Sequence, residues 1–271
     1  MLSTLPACLL LFHPRELLPV LGYSQGVLGN TQRAIELYTE ALEIANGAAD
    51  RPCEIANLNH LSRIYLQQQD YEKSIGYSQR ALVLARQNGD RQGEANALTN
   101  YGFGEVLAAQ SRDEMEPEVY EQNIGYLERG MALAKSLADL QSLALCAHNL
   151  GRAYLAMQQW PQAVEYLTQG IKTAQSIGDL YLQGMNMAYL AEAYYGEQDP
   201  AAIIYAALGM YQLHQIEARE WRQSAGLLRI LCGGQDLHMA LGAVRSQLIP
   251  VIGVDGYDYL PEIMAEYDQS M

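Results

Sequence analysis

Five small residues, Gly22, Ser62, Gly102, Gly151 and Ala191, each follow a bulky one, at intervals of 40, 40, 49 and 40. The bulky partners are Leu21, Leu61, Tyr101, Leu150 and Leu190. A second ladder, Asp50, Asp90, Asp139 and Asp179, repeats the last three of those intervals. Two independent series that share one odd spacing mark a repeat, and a repeat of this length is built from stacked supersecondary units. The unit reads most clearly from Ala147 to Ile171. Leu150, Gly151 and Tyr154 share one helix face by their spacing. Gln159-Trp160-Pro161 interrupts that helix, since a proline at the start of the next one has no N–H to leave unpaired. Ala163, Leu167, Gly170 and Ile171 then share a face of the second helix. Each repeat is therefore predicted to be a helix hairpin, its aspartate capping the orphan N–H groups of the first helix and complementing the dipole there.

The pattern large–small–x–x–Tyr on the first helix, followed by spaced small and large residues on the second, resembles the tetratricopeptide repeat (TPR) family. It reads Leu150-Gly151, Tyr154, Ala163, Leu167, Gly170 in one hairpin and Leu61-Ser62, Tyr65, Ser74, Ser78, Ala81 in another. The first hairpin follows it as Leu21-Gly22, Ala34, Tyr38, Ala41, with Gln25 in place of the tyrosine. The fifth follows it as Leu190-Ala191, Tyr194, Ala202, Ala206, Gly209, one residue short in the turn. The 40-residue period is similar to the long-helix repeats of Pins/LGN and kinesin light chains. The resemblance covers roughly residues 15 to 211. It implies an all-α, right-handed superhelical solenoid of antiparallel helix hairpins.

The expected organisation is an N-terminal cap or irregular segment over 1–14, then five hairpins at 15–49, 50–89, 90–138, 139–178 and 179–211. A degenerate capping hairpin at 212–248 is expected from two helices, Ile216 to Leu231 and Gln235 to Leu248, separated by Gly233-Gly234. The tail, 249–271, carries an apolar run with paired glycines and two tyrosines. It reads as an extended segment followed by a short helix from Pro261. Two roles fit it: covering the open end of the stack, which solenoids require, or lying in the groove as an internal pseudo-ligand. The 49-residue interval predicts about nine extra residues in the turn of the third hairpin. There Asp113, Glu114, Glu116, Glu118 and Glu121 make either a solvated charge run or a docking loop.

The net charge of −14, from 31 acidic and 17 basic residues, argues against nucleic acid as the main partner, because phosphate binding needs a cationic surface. It argues equally against anionic membranes. The apolar run Cys8 to Phe12 is too short to span a bilayer and lacks the flanks of a signal peptide, so the chain is expected to be cytoplasmic. Cys8, Cys53, Cys146 and Cys232 have no metal-ligand or redox spacing. No nucleophile elbow, zinc-protease motif, P-loop or dinucleotide fingerprint is present. Cys146 and His148, two apart on a helix, point in different directions. We therefore expect no catalytic residues, no metal and no cofactor.

In the TPR family the first helices line the concave face. With the core stripe taken by the large–small–Tyr positions, groove residues fall at −6, −3, −2 and +1 from the small residue. The candidates are Asn59, His60 and Arg63 in hairpin two, and Asn96, Asn100 and Phe103 in hairpin three. Hairpin four supplies His148, Asn149 and Arg152, and hairpin five Tyr189 and Glu192. Across hairpins two to four this stripe has no carboxylate, although the chain is strongly acidic. Asparagine can both donate to and accept from a peptide backbone, and arginine pairs with carboxylates. Asn100 and Asn149 also fit positions that tie neighbouring helices together. The stripe predicts a protein or peptide partner with acidic groups, Glu192 rejecting the wrong charge at one end. The functional expectation is a non-enzymatic interaction module: an adaptor, scaffold or assembly factor. A peptide-responsive regulator is the alternative, and an enzyme whose site is shared with a partner is the third reading.

Overall fold

The computed structural model describes residues 14–27, 29–112, 117–233 and 236–270. All regular structure among them is helical, in two compact units, Met1–Leu137 and Ala138–Met271. The first unit contains α1 (Pro14–Val27), α2 (Thr31–Gly47), α3 (Arg51–Gln67), α4 (Tyr71–Asn88), α5 (Arg91–Ser111) and α6 (Pro117–Ser136). The second contains α7 (Leu140–Ala156), α8 (Trp160–Ile177), α9 (Leu180–Gly196), α10 (Ala201–Gln215), α11 (Trp221–Cys232), α12 (Leu237–Ala243) and α13 (Arg245–Ser270). The capping segment expected over residues 1–13 lies outside the described residues, as do Asp113, Glu114 and Glu116 of the acidic insert and Gly234.

The aspartate ladder caps the leading helices. Asp50, Asp90, Asp139 and Asp179 accept from the backbone N–H of Cys53, Gly93, Ser142 and Leu182 at 3.3, 2.8, 3.1 and 2.9 Å. Each bond satisfies a donor that the first helical turn leaves unpaired. The turns inside hairpins two, four and five share a second device: Gln69, Gln158 and Gln198 adopt left-handed φ of 61°, 56° and 60°. Between hairpins the same region is taken by Gly89 and Gly178, which adopt it without a Cβ penalty.

Small residues at the repeat positions set how closely the helices approach. At Gly151 an added Cβ would lie 2.5 Å from Leu167 Cγ, so the leading helix packs there with no side chain between it and α8. In the first unit Tyr38, Leu58, Leu61, Ile64, Leu82 and Leu98 form a buried core. In the second, Leu167, Leu190, Ala163 and Ala193 form one cluster and Met210, Leu213, Trp221, Leu228 and Leu260 belong to a larger one. Within each unit successive leading helices pack directly on one another, α1 on α3 and α3 on α5, then α7 on α9 and α9 on α11. The second helices of neighbouring hairpins make little or no such contact. Each unit thus has a face built from leading helices alone.

Three sequence expectations change. The nine extra residues of hairpin three are mostly helix rather than turn: α5 has 21 residues against 17 in α3, and α6 has 20 against 18 in α4. Val106, Ala108 and Ala109 are buried on the added turn of α5, so the apolar pattern continues and the helix runs on. The sixth hairpin starts later, at Trp221, with Glu217 in a left-handed turn before it (φ 56°). Its second helix divides into α12 and the start of α13, bent by 107°.

The tail is the third change. Residues expected to be extended belong to α13, which is broken only at Gly253 (φ 74°, ψ 174°). One glycine is needed for that break, and beyond it Leu260, Ile263 and Met264 recur at helical spacing and are buried. Burial of that face selects helix over strand. The segment packs on α10, α11 and α12, with Tyr267 edge-on to Trp221 and Tyr259 edge-on to His214. Its place is the end of the second unit.

Candidate functional site

In the first unit the asparagines of the leading helices act on each other. Asn59 Nδ2 donates to the carbonyl of Gly93 at 3.2 Å, and Asn100 Nδ2 donates to the carbonyl of Asn59 at 3.1 Å. Both side chains are buried at the seam between α3 and α5, and Phe103 of α5 is buried as well. Asn59 Oδ1 has no hydrogen-bond partner among the described residues. His60, Arg63 and Asn96 keep part of their surface.

His60 stacks on Tyr38, ring centroids 4.8 Å apart and planes at 16°. Burial, reinforced by the Arg63 charge, lowers the imidazole to about 4, so it is neutral at pH 7. Burial raises the Tyr38 hydroxyl, while the charge of Arg63 opposes the shift and Tyr23 adds to it. Tyr23, Tyr38, His60 and Arg63 therefore meet at one place, drawn from α1, α2 and α3. Arg63 forms no ion pair with any described carboxylate. Tyr23 is exposed and holds the +1 position of hairpin one, where the same counting that selects Arg63 would have found it.

The second unit repeats the arrangement with different chemistry. His148 is buried and its Nδ1 lies 3.2 Å from Asn186 Oδ1, while Asn186 Nδ2 donates to the carbonyl of Leu182. With the amide oriented that way, His148 Nδ1–H is the donor. Burial and then the nearby Arg152 lower this imidazole to about 3, so the tie between α7 and α9 is a neutral one. Asn149 is buried beside it. Tyr189 meets His148 edge-on at 5.5 Å, and the Arg152 guanidinium sits 4.8 Å from the Tyr189 ring centroid.

Around Tyr189 the leading helices gather further polar groups. Gln223 Nε2 donates to Glu192 Oε1 at 2.6 Å, and the Tyr181 hydroxyl donates to Glu220 Oε1 at 3.1 Å. Tyr189 is raised by burial, opposed by Arg152 and reinforced by Glu192 and Glu220, so all three charges converge on its hydroxyl. Glu192 is raised by burial, with Gln223 and Arg152 opposing. Partial desolvation of its hydroxyl, then Glu220, pushes Tyr181 far up, although the residue as a whole is exposed. Glu220 and Gln223 escaped the sequence reading because the period fades after Met210, and Tyr181 because it lies ten residues before Ala191, outside the four counted positions. Counting back from Gly226 as the small residue would have placed Gln223 at −3 and Glu220 at −6.

Of the eleven predicted residues, Asn59, Asn100, Phe103, His148 and Asn149 are buried, and Asn59, Asn100 and His148 bond across helix seams. His60, Arg63, Asn96, Arg152, Tyr189 and Glu192 contribute surface. Among the described residues no three His, Cys, Asp or Glu side chains are grouped to hold a metal ion. Two clefts of the first unit, one lined by Gln68, Tyr71, Ala108 and Arg112, the other by Glu54, Arg80 and Val83, are open and lie away from these side chains. No single helix among the described residues is long and apolar enough to cross a membrane. The bent pair α12–α13 passes that test by composition, with Leu241, Leu248, Leu260 and Ile263 buried in the core of the unit.

Comparison with known proteins gives the same architecture. Tetratricopeptide repeat profiles match residues 21–87 and 145–181. No curated protein matches the sequence. Among solved structures, a Rap protein complexed with competence and sporulation factor is similar with a TM-score of 0.66 at 13% identity, over 95% of this chain and 76% of that one. A STAND signal-transduction ATPase with a tetratricopeptide repeat sensor, from Pyrococcus horikoshii, gives 0.61 at 15% identity over 94% of this chain. This chain spans only 38% of that protein. A putative kinesin light chain from Podosopora anserina, with nearly identical TPR-like repeats, gives 0.50 at 18% identity over 76% of this chain and 98% of that one. At such identities the likeness is one of fold. With capped hairpins recurring at one period and the repeat profiles falling on two stretches of them, the chain carries tetratricopeptide repeats over residues 21–87 and 145–181.

Proposed function

We propose that this protein is a non-enzymatic interaction module, an adaptor, scaffold or assembly factor, that holds a polypeptide segment on the faces formed by its leading helices. The observation that carries this reading is Arg63: a partly buried guanidinium beside a neutral histidine, with no ion pair to a described carboxylate, in a chain of net charge −14. A cation held that way in the first unit suits an acidic side chain or a chain-terminal carboxylate of a guest. Exposed edges of Tyr23 and Asn96 would flank that guest. The acidic balance supports a polypeptide over nucleic acid. The Rap structure with its bound factor supports a peptide-sized ligand on a fold of this kind. Cys232 is a free thiol, which supports a reducing, cytoplasmic setting.

The test is selection of a random peptide library on the full chain, followed by fluorescence anisotropy with the selected peptides. Arg63→Gln is expected to weaken acidic peptides roughly tenfold or more, the size of a lost charged hydrogen bond. Selection of no peptide, or of peptides indifferent to every leading-helix substitution, would sink the reading.

A further inference from the structure

The two leading-helix faces do not carry the same charge. In the first unit Arg63 stands beside a neutral imidazole. In the second, Arg152 is stacked on Tyr189 and within the field of Glu192, while the charge of Glu220, the residue before α11, acts on the same tyrosine. One guanidinium faces two carboxylates, so that patch is net negative.

Each carboxylate is oriented by a neutral donor on an adjacent helix. Gln223 of α11 holds Glu192 of α9, and Tyr181 of α9 holds Glu220, the residue at the N-cap of α11. These bonds cross the α9–α11 seam in both directions and fix both acids without neutralising either. A neutral donor that pins an acid on one oxygen leaves the other oxygen as an acceptor. Tyr181 is exposed and offers an aromatic face next to its carboxylate partner. A carboxylate beside an aromatic ring attracts ammonium and guanidinium groups through both charge and ring quadrupole.

We infer that the face formed by α7, α9 and α11 receives a lysine or arginine side chain of a bound polypeptide, seated between Glu192, Glu220 and the ring of Tyr181. The inference rests on the interaction-module reading and adds a charge preference opposite to that of the Arg63 site. Glu192 then selects for a basic residue at this point rather than merely repelling an acidic one.

The probe is the same random peptide library, selected on the wild-type chain and on a Glu192→Gln/Glu220→Gln variant. Both replacements keep side-chain size, and thermal melting checks that the second unit is intact. If the double variant melts early, Glu220→Gln alone carries the test. Peptides selected on the wild type are expected to carry a recurrent lysine or arginine and to bind the double variant about tenfold more weakly. Replacing that residue by glutamine in the peptide should cost the same factor, and the two losses should not add. Peptides that depend on Arg63 but ignore both carboxylates overturn this inference and leave the interaction reading standing. Peptides that gain affinity for the double variant overturn it too. Failure to select any peptide overturns both.

Discussion

Asn100 on α5 donates its side-chain amide to the backbone carbonyl of Asn59 on α3, 41 residues away, at 3.1 Å, and Asn59 in turn donates to the carbonyl of Gly93. A main-chain carbonyl already used inside a helix thereby takes a second donor from the next hairpin. Register between the two leading helices is set by polar bonds in a seam that is otherwise apolar.

Removing that donor tests the register. Asn100→Ala leaves a buried cavity beside an under-satisfied carbonyl and should destabilise the chain by about 1–3 kcal/mol. The urea midpoint should fall with little change in slope. Peptide affinity measured under folding conditions should change far less than with Arg63→Gln.

The buried histidines give a pH dependence of known sign. His148 and His60 have folded values lowered to about 3 and about 4, below the unfolded 6.5. Their contribution is fully present above pH 6.5 and is lost as pH falls through the window down to those folded values. Near pH 5 a single such histidine costs on the order of 1–2 kcal/mol. Urea midpoints of His148→Gln should therefore fall less steeply between pH 7 and pH 5 than those of the wild type, pH values chosen to bracket the unfolded pKa. Glu192, raised by burial, acts in the opposite sense. A curve steepened by the histidine substitution would contradict the assignment.

The hairpin turns offer a gain rather than a loss. Gln158 is exposed and holds φ 56°, a conformation that costs a residue with a Cβ about 1 kcal/mol. Gln158→Gly should raise the melting temperature modestly. Gly151→Ala, whose Cβ would meet Leu167 at 2.5 Å, should lower stability by about 1–3 kcal/mol through overpacking.

Truncation separates the two roles expected for the tail. Deleting residues 254–271 removes Leu260, Ile263 and Met264 from a core shared with Trp221 and Leu228. A lower melting temperature with exposed apolar surface, read by dye binding, is the expected result. A chain that stays fully folded and binds peptide more tightly would instead make the tail an occupant of the groove.

The hairpins were legible because their signal is redundant. The small-residue ladder and the aspartate caps report one period. Position along a helix, however, does not say how near the next leading helix comes. Asn59, Asn100 and His148 bond across the seams, and Asn149 and Phe103 are buried too, so nearly half of the predicted stripe is not open surface. Glu220 and Gln223 were missed for the opposite reason: their helix has no large–small–Tyr mark to count from. The tail misled because an apolar run with two glycines looks like strand until the burial of Leu260 and Met264 is known.

The tie between His148 and Asn186 involves no net charge, whereas any guest at Arg63 or Glu220 would be held by ions. Dissolved salt screens charges at the surface over about 8–10 Å at physiological strength and leaves short buried dipolar bonds nearly untouched. Raising the ionic strength should therefore empty these faces while the helices that build them stay in place, so that release of cargo and loss of the scaffold become separable events in a single titration.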